Sequence, residues 1–477
     1  MSRATTPDSP WPPTDTPYLT RHGLHPPLVP APPPAGLGLV VVIPAKAEPD
    51  IAPTLESLGA CHPPDCAVEV LVAVNAAADC PPAVTRANQA TLEAVGAWAL
   101  DHAPPWMRVH ALDVPPLSPK QAGVGLARKI GLDEGVRRLT WAGAPRGVLA
   151  CLDADCTVAP DYLTALVAHF RKHPDDWACT LPFAHDLDAA PTPAAREGIV
   201  TYELYLRYVV EGLGLARYPG ALHTVGSAMA VRVDGYQAQG GMNRRQAGED
   251  FYFLNKFLRI GRIRQAQGGL VRPAPRVSDR VPFGTGAAMG RWLAGDDPPQ
   301  QRVWAPETFT AVETIIDVIP RLAQADAAGI GAWCAAQPSP LRGWLERVRF
   351  AARVAEMQRH SASPAGLRSR FLQWFDRFQV MKLAHHLRDH GVTSLPVLPA
   401  LARLFAQYGV AGAPMDDAEA LLGWLRRRQH APPTGCDAAQ RQPAGDLHGA
   451  GAVDNSPRRL QCDALHPIGF SLSGGTP

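Results

Sequence analysis

The chain has 477 residues, with 46 basic and 44 acidic side chains and a formal net charge of +2. This length exceeds that of one ordinary compact domain, so we expect two folded units or one enlarged domain with appendages. The near balance of charges excludes a protein built mainly to bind nucleic acid. The nine cysteines are an odd number without CxxC spacing, which argues against a disulfide framework or a zinc site and favours a reducing cytoplasm.

The N-terminal segment is rich in proline and lacks the pattern of a secretory signal. Clustered prolines in residues 1–37 favour extended, poorly packed chain, so we predict that this segment is disordered. No basic stretch leads into an apolar one there, and no apolar run in the chain reaches the roughly 18 residues that a membrane span needs. We therefore expect a cytoplasmic protein without a transmembrane segment, either soluble or in peripheral contact with the inner face of the membrane.

Short β-branched runs alternate with helical periodicity in the first part of the chain. This alternation predicts an α/β fold with a Rossmann-type, mostly parallel sheet flanked by helices, whose ligands bind beyond the carboxyl ends of the strands. Residues 286–430 have helical spacing and are predicted to form a helical extension, and the polar tail 431–477 is predicted to be disordered. The predicted strands are 38–43, 68–74, 108–112 and 147–152, and the predicted helices are 51–58, 85–99 and 251–258.

Two carboxylates, Asp153 and Asp155, follow the apolar run 147–152 at the point where that strand should end. Such a pair can hold Mg²⁺ or Mn²⁺ against a diphosphate, because these hard cations often bind through one or two carboxylates plus phosphate oxygens. An Asp-x-Asp triplet also occurs as a solvated turn or a helix cap. The surrounding motifs therefore decide between a metal site and a turn.

Four segments in chain order resemble the family 2 glycosyltransferases, which are inverting enzymes with a GT-A fold. They are VVIPAKAE at 41–48, GLARK at 125–129, LDAD at 152–155 and GED at 248–250. Their order and spacing carry more weight than any one of them. The resemblance covers about residues 38–285, which we predict to be a GT-A-like catalytic domain, and it implies a nucleoside-diphosphate sugar as donor.

The resemblance implies a nucleotide-sugar site along the ends of the predicted strands. Asn75 stands where the family often has acidic residues near the base, so the identity of the donor base stays open. Each segment also has a simpler interpretation as an ordinary turn or a solvated helical charge pair, as for Arg128 and Lys129. The residues implied to bind the nucleotide sugar are Pro44, Ala45, Glu48, Asn75, Arg128, Asp153, Gly226 and Ser227.

The resemblance also implies the catalytic groups. Asp250 would be the general base that takes a proton from the acceptor hydroxyl, and Glu249 would orient the acceptor. Asp153 and Asp155 would hold Mn²⁺ or Mg²⁺, with Asp155 as the more direct ligand, and the cation would neutralise the departing diphosphate. The alternative for Glu249 and Asp250 is that they only cap a helix, which the helix dipole favours.

Three functions follow from these motifs. The first is a metal-dependent transferase that moves one sugar with inversion onto a hydroxyl of a glycan, a lipid or a small molecule. The second is a sugar-1-phosphate nucleotidyltransferase, which should carry a Gly-rich, Arg-containing loop after the first strand, where this chain has residues 44–47. The third is a noncatalytic sugar-nucleotide-binding protein. The Gln-x-x-Arg-Trp motif of processive synthases is absent, since Met289-Gly290 precedes Arg291-Trp292, which favours a single transfer.

Two further segments have open interpretations. The arginine-rich stretch 272–280 could bind diphosphate or an anionic acceptor, or could be a plain surface loop. An aromatic stripe in the helical extension could touch anionic lipid, although a helix packed in the protein interior is the favoured interpretation. That stripe consists of Phe371, Trp374, Phe375 and Phe378.

Overall fold

The computed structural model describes residues 16–119, 122–245, 248–278, 284–295 and 302–430. They divide into two compact units. Unit 1 holds the described residues of Met1–Ala189, Thr224–Leu254 and Ile263–Ala274, and unit 2 holds those of Ala190–His223, Asn255–Arg262 and Pro275–Pro477. This division differs from the domain boundary predicted at residue 285, because Ala190–His223 and Asn255–Arg262 group with the later helices in unit 2. The tail predicted to be disordered, 431–477, lies outside the described residues.

The elements follow one another along the chain with helices dominating the second half. The strands are β1 (Leu37–Ala45), β2 (Ala67–Val74), β3 (Met107–Asp113), β4 (Val148–Cys151), β5 (Cys156–Val158), β6 (Ala178–Thr180), β7 (Met229–Arg232), β8 (Ile263–Gln265), β9 (Val271–Pro273), β10 (Arg302–Val303) and β11 (Leu395–Pro396). The helices are α1 (Pro17–His22), α2 (Ala52–Gly59), α3 (Pro82–Asp101), α4 (Val124–Trp141), α5 (Tyr162–Lys172), α6 (Pro193–Leu215), α7 (Val233–Ala238), α8 (Glu249–Ile260), α9 (Thr285–Leu293), α10 (Glu307–Leu322), α11 (Ala327–Ala335), α12 (Ser339–Arg347), α13 (Phe350–Arg359), α14 (Pro364–Trp374), α15 (Arg377–Asp389), α16 (Val397–Tyr408) and α17 (Ala418–His430).

Unit 1 is built on a seven-stranded sheet with the order β3-β2-β1-β4-β7-β6-β8. Strands β3, β2, β1 and β4 are parallel neighbours, while β7 runs antiparallel to both β4 and β6. Strands β1, β2 and β4 are almost wholly buried, as expected for strands covered by helices on both faces. The prediction of a mostly parallel sheet flanked by helices is therefore confirmed.

Helix α4 packs closely on this sheet through a position without a side chain. A Cβ atom at Gly131 would lie 2.4 Å from Cγ1 of Val42 in β1, so only glycine allows this approach. The close packing fixes the height of α4 above β1 and β4. Arg128, in the second turn of α4, is thereby held near the carboxyl end of β4.

The prediction that residues 1–37 are disordered is wrong for the part that the structure describes. Helix α1 begins at Pro17, and its Tyr18 is buried with its hydroxyl donating to Asp133 of α4 at 2.9 Å. The backbone N–H groups of Leu28 and Val29 donate to the carboxylate of Glu134 at 3.1 and 3.2 Å. These polar groups of α4 need partners because they are buried, and the N-terminal segment supplies them.

Unit 2 contains a buried polar network between helices α6 and α17. Glu203 accepts hydrogen bonds from Arg207 at 2.8 Å and from Arg426 at 2.8 and 2.6 Å. Gln429 accepts from Arg207 at 3.1 Å and lies 3.0 Å from Nε2 of His223. Buried charges with this many partners tie the C-terminal described helix to α6, which explains why α6 groups with the later helices.

His223 should make the stability of unit 2 depend on pH. Burial and the nearby Arg207 lower the pKa of His223 to about 3, against about 6.5 in an unfolded chain. A lowered folded-state pKa contributes stability that is present above the unfolded pKa and is lost as the pH falls toward the folded pKa. Between about pH 6.5 and 3 this residue should contribute a slope of up to about 1.4 kcal/mol per pH unit to the free energy of unfolding.

Denaturant unfolding at several pH values checks this expectation. His223→Gln should flatten the acid side of the stability curve, because glutamine takes up no proton. His62→Gln replaces an exposed histidine of unit 1 and serves as the control. An unchanged slope in His223→Gln would mean that the folded and unfolded states protonate His223 at the same pH.

Two rings of the aromatic stripe of the helical extension lie in the interior of unit 2. Phe371 and Phe375 are fully buried and contact the rings of Trp344 and Phe350. Phe371 and Phe375 thus pack into a core, as the favoured interpretation of this stripe expects, whereas Trp374 and Phe378 are partly exposed. Over the described ranges, every helix is too short or too polar to pass through a bilayer.

Candidate active site

The turn that follows β4 carries Asp153 and Asp155 and is held by its backbone. The carbonyl of Ala154 accepts a hydrogen bond from Thr54 Oγ1 at 2.8 Å, and the carbonyl of Asp155 accepts from the N–H of Ala274 at 3.1 Å. The N–H of Leu152 donates to Val42 of β1 at 3.1 Å. These contacts fix the turn and leave both Asp side chains partly exposed at the carboxyl edge of the sheet.

Arg128 joins this turn to the start of helix α8. One guanidinium nitrogen donates to Asp153 Oδ1 and the other donates to Glu249 Oε1. The side chain of Arg128 is 3% exposed and that of Glu249 is 3% exposed, whereas that of Asp153 is 37% exposed. Burial opposes the charge of Arg128, but the carboxylates of Asp153 and Asp250 outweigh burial, and the pKa of the guanidinium is raised.

Gly226 lines the other side of this guanidinium, in the turn before β7. A Cβ atom at Gly226 would lie 2.7 and 2.8 Å from the two terminal nitrogens of Arg128. A side chain there would displace the guanidinium from its carboxylates, so the close approach requires glycine. Ser227 is buried beside Gly226.

Asp250 belongs to the same cluster. Burial raises its pKa above the ordinary value, and the nearby Asp153 raises it further, while Arg128 and the backbone N–H groups of Phe251 and Gly226 lower it. The N–H of Phe251 donates to Asp250 Oδ1 at 2.7 Å. Carboxylates predicted from two separate segments, 152–155 and 248–250, are thus brought together around one arginine.

The remaining predicted nucleotide residues lie at the neighbouring strand ends. Pro44 and Ala45 are the last residues of β1 and pair with Ala73 and Val74 of β2. Glu48, in the loop that follows β1, and Asn75, just past β2, are 4% exposed. These residues share the carboxyl edge of the sheet with the turn after β4, as parallel strands require.

Two side chains of the motif segments have contacts that were not predicted. Lys129, which follows Arg128 in the segment 125–129, donates to Asp133 at 2.7 Å and to Tyr18 at 2.8 Å, away from the cluster. Glu249, predicted to orient the acceptor, is buried with its carboxylate on Arg128. Its contact shows that it holds the arginine. The arginine-rich stretch is assigned partly to unit 1 and partly to unit 2, and Arg280 lies outside the described residues.

Asp153 and Asp155 suit a cation that takes most of its ligands from water and phosphate, as Mg²⁺ and Mn²⁺ often do. Within the part of the chain that the structure describes, no group of three or more His, Cys, Asp or Glu side chains could hold a metal ion. A cage made only of protein ligands is therefore absent there. Two partly exposed carboxylates one residue apart remain compatible with a site completed by a diphosphate.

Sequence reasoning missed two residues that shape this edge of the sheet. Thr54 holds the turn after β4, and Asn88 bonds to the backbone after both β1 and β2. Both are polar residues in helices whose other inward positions are apolar or small. A buried polar position on a helix that follows a parallel strand is the signal that could have found them.

Comparison with known proteins finds a family model that matches the segment carrying several of these residues. Residues 119–238, which include Arg128, Asp153, Asp155, Gly226 and Ser227, match the model of the family described as Glycosyl transferase family 2. No curated protein matches the chain by sequence.

Among solved structures, the chain is similar to S. aureus TarS 1–349 in complex with UDP-GlcNAc, with 13% identity and a TM-score of 0.36 over 71% of this chain and 91% of that one. It is also similar to glucosyl-3-phosphoglycerate synthase from Mycobacterium tuberculosis in complex with Mn²⁺, UDP and glucosyl-3-phosphoglycerate. That similarity has 17% identity and a TM-score of 0.30 over 54% of this chain and 78% of that one. The family match therefore shows that residues 119–238 of this chain are similar to a family 2 glycosyltransferase domain.

Proposed function

We propose that this glycosyltransferase moves one sugar from a nucleoside-diphosphate donor to a hydroxyl acceptor, with inversion at the anomeric carbon and with help from a divalent cation. The observation that carries the proposal is the double ion pair of Arg128 with Asp153 and Glu249, with Asp250 close enough to alter the pKa of the arginine. It gathers the carboxylate suited to the donor diphosphate and the carboxylate suited to the acceptor proton around one side chain.

Asp250 is the proposed base. Burial raises the pKa of its carboxyl, and a general base works best when its pKa approaches the pH at which the enzyme operates. It would take the proton of the acceptor hydroxyl as that oxygen bonds to the anomeric carbon. The bond from that carbon to the diphosphate oxygen breaks on the opposite face, so the configuration inverts and a nucleoside diphosphate leaves.

A direct displacement agrees with the state of Cys151, a cysteine whose pKa is affected by Arg128, Asp153 and Asp250. Cys151 lies at the end of β4, and burial raises the pKa of its thiol to about 12. The thiol is therefore protonated at neutral pH and is a poor nucleophile. A covalent sugar intermediate on Cys151 is disfavoured, which supports a single displacement by the acceptor.

Asp153 and Asp155 would hold Mn²⁺ or Mg²⁺ together with oxygens of the donor diphosphate. When bound, such a cation neutralises the charge that develops on the leaving group. Pro44, Ala45, Glu48 and Asn75 would bind the nucleoside. Gly226 and Ser227 would line the sugar.

Thermal denaturation with nucleoside diphosphates tests the donor site. One of UDP, GDP, ADP, CDP and TDP should raise the melting temperature, and more so with Mn²⁺, because a ligand at 100 times its Kd stabilises the folded state by about 2.7 kcal/mol. Asp155→Asn leaves the Arg128–Asp153 ion pair in place and should remove only the part that depends on Mn²⁺. Failure of all five nucleotides to stabilise the protein, with or without Mn²⁺, would contradict the proposed donor class.

A further inference from the structure

The loops after β1 and β2 are joined by one side chain that none of the sequence motifs contains. Strands β1 and β2 run parallel, and the N–H of Asn75 donates to the carbonyl of Ala45 at 3.0 Å at the end of the ladder. Past this bond, a side chain of helix α3 bonds to both the turn at Ala47 and the backbone of Asn75.

Ala47 has an unusual backbone conformation. Its φ is +46°, in the left-handed region that favours glycine and that alanine adopts only when its surroundings hold it there. Its N–H donates to Asn88 Oδ1 at 2.7 Å. The strained turn that leads to Glu48 is thus fixed by a side chain of helix α3.

The same amide also holds the loop after β2. Nδ2 of Asn88 donates to the carbonyl of Asn75 at 3.0 Å, and Asn88 is 9% exposed. Near Asn88 on α3, Oγ1 of Thr91 donates to the carbonyl of Glu48 at 3.2 Å. Asn88 uses its acceptor on one loop and its donor on the other, because an amide side chain carries both groups.

We propose that Asn88 is a positioning residue for the nucleoside half of the donor site. Its amide sets the distance between the turn after β1 and the loop after β2, and so fixes the backbone from which Glu48 and Asn75 extend. This inference rests on the proposed function, since it takes those two residues as contacts of the nucleoside. The turn that carries Asp153 is held by other groups, Thr54 and Ala274, so the diphosphate half of the site does not depend on Asn88.

Because the two halves of the site are held by different groups, a loss of nucleoside binding through Asn88 can be distinguished from a general loss of structure, which would weaken both halves. Asn88→Ala should weaken the binding of the best nucleoside diphosphate at least tenfold in calorimetry with Mn²⁺, and should change the binding of inorganic pyrophosphate with Mn²⁺ by less than about twofold. Donor hydrolysis should show a raised KM for the sugar nucleotide and a nearly unchanged kcat. Equal weakening of both ligands, or a change in kcat alone, would overturn the inference.

Two more variants complete the test. Asn88→Asp keeps the acceptor for Ala47 but places an oxygen against the carbonyl of Asn75, so it should also weaken nucleoside-diphosphate binding, and it decides the matter if Asn88→Ala does not fold. Gln89→Ala is the matched control, because Gln89 is the next residue of α3, exposed and bonded only to Glu93 at 2.8 Å in the described contacts.

The outcomes also separate this inference from the proposed function. If the unsubstituted protein binds no nucleoside diphosphate, the proposed function fails and the inference falls with it. If the unsubstituted protein binds one and folded Asn88→Ala and Asn88→Asp bind it equally well, the inference alone fails.

Discussion

Asp250→Asn is expected to lower kcat by about 10²–10⁴-fold, the usual contribution of a positioned general base. Asparagine keeps the shape of the side chain and an acceptor for the N–H of Phe251, but it cannot take a proton from the acceptor hydroxyl. The donor should still bind. Release of nucleoside diphosphate from the sugar nucleotide, with water as the acceptor, measures kcat, and calorimetry measures donor affinity.

Asp234→Asn is the matched control for this substitution. Asp234 also lies in unit 1, and its Oδ1 accepts the N–H of the next residue at 2.8 Å, as Asp250 does at 2.7 Å, but its side chain is 40% exposed and faces Arg146. Turnover should survive in this control. Asp250→Asn with unchanged kcat would remove Asp250 as the base, and a loss of donor binding equal to the loss of turnover would assign Asp250 to binding.

Asp250→Asn should not reduce stability at neutral pH. The pKa of Asp250 is raised in the folded state because the carboxyl is buried and lies near Asp153. A raised folded-state pKa contributes stability that is complete below the unfolded pKa and is lost as the pH rises through the folded pKa. At pH 7 the ionised carboxylate therefore costs stability that a neutral amide does not, and the melting temperature of the variant should equal or exceed that of the unsubstituted protein.

The sheet could be predicted from the sequence because its central strands are apolar on both faces. Valine-rich runs such as 68–74 have few alternatives in a chain of this type, and the structure has β2 at Ala67–Val74. Antiparallel β7 was not predicted, since its four residues, Met229–Arg232, are too short to show a period. The direction of a short strand depends on its partners, which a local pattern does not contain.

The N-terminal segment and helix α6 were misjudged for a different reason. Proline-rich composition indicates extended chain, and residues 23–31 form neither helix nor strand, but their partners Glu134 and Arg138 lie more than a hundred positions away. Glu203 of α6 likewise finds Arg426 across 223 positions. Such long-range polar pairs decide which unit a segment joins, and sequence periodicity has no signal for them.

For the candidate site, the motifs identified the groups that gather at the sheet edge but not their mutual contacts. Asp153, Arg128, Gly226 and Asp250 were singled out one by one, and the structure brings them into one cluster. That Arg128 holds Asp153 and Glu249 at once could not be predicted, because it depends on the distance between the turn after β4 and the start of α8. The tight contact of Gly226 with the guanidinium follows from the same distance.

Arg128→Met is expected to lower the free energy of unfolding by about 3–5 kcal/mol at pH 7, the usual effect of removing one partner of a buried ion pair. Methionine fills a similar volume but leaves the carboxylate of Glu249 buried beside Asp153 and Asp250 without a cation. An unpaired buried carboxylate favours its protonated form. The stability deficit should therefore shrink as the pH is lowered toward 5, which denaturant unfolding at several pH values measures.

A second substitution separates lost charge pairing from lost packing. Glu249→Gln in the Arg128→Met background removes the stranded charge, so the double variant should be more stable at pH 7 than Arg128→Met alone, and the double-mutant cycle should give a coupling of at least about 1 kcal/mol. Arg128→Lys should be intermediate, because a single ammonium on a flexible stem cannot match a planar guanidinium that bonds two carboxylates. If Arg128→Met costs less than about 1 kcal/mol and its deficit does not change with pH, the guanidinium does not hold the two carboxylates together, and the cluster from which the proposed mechanism starts does not form.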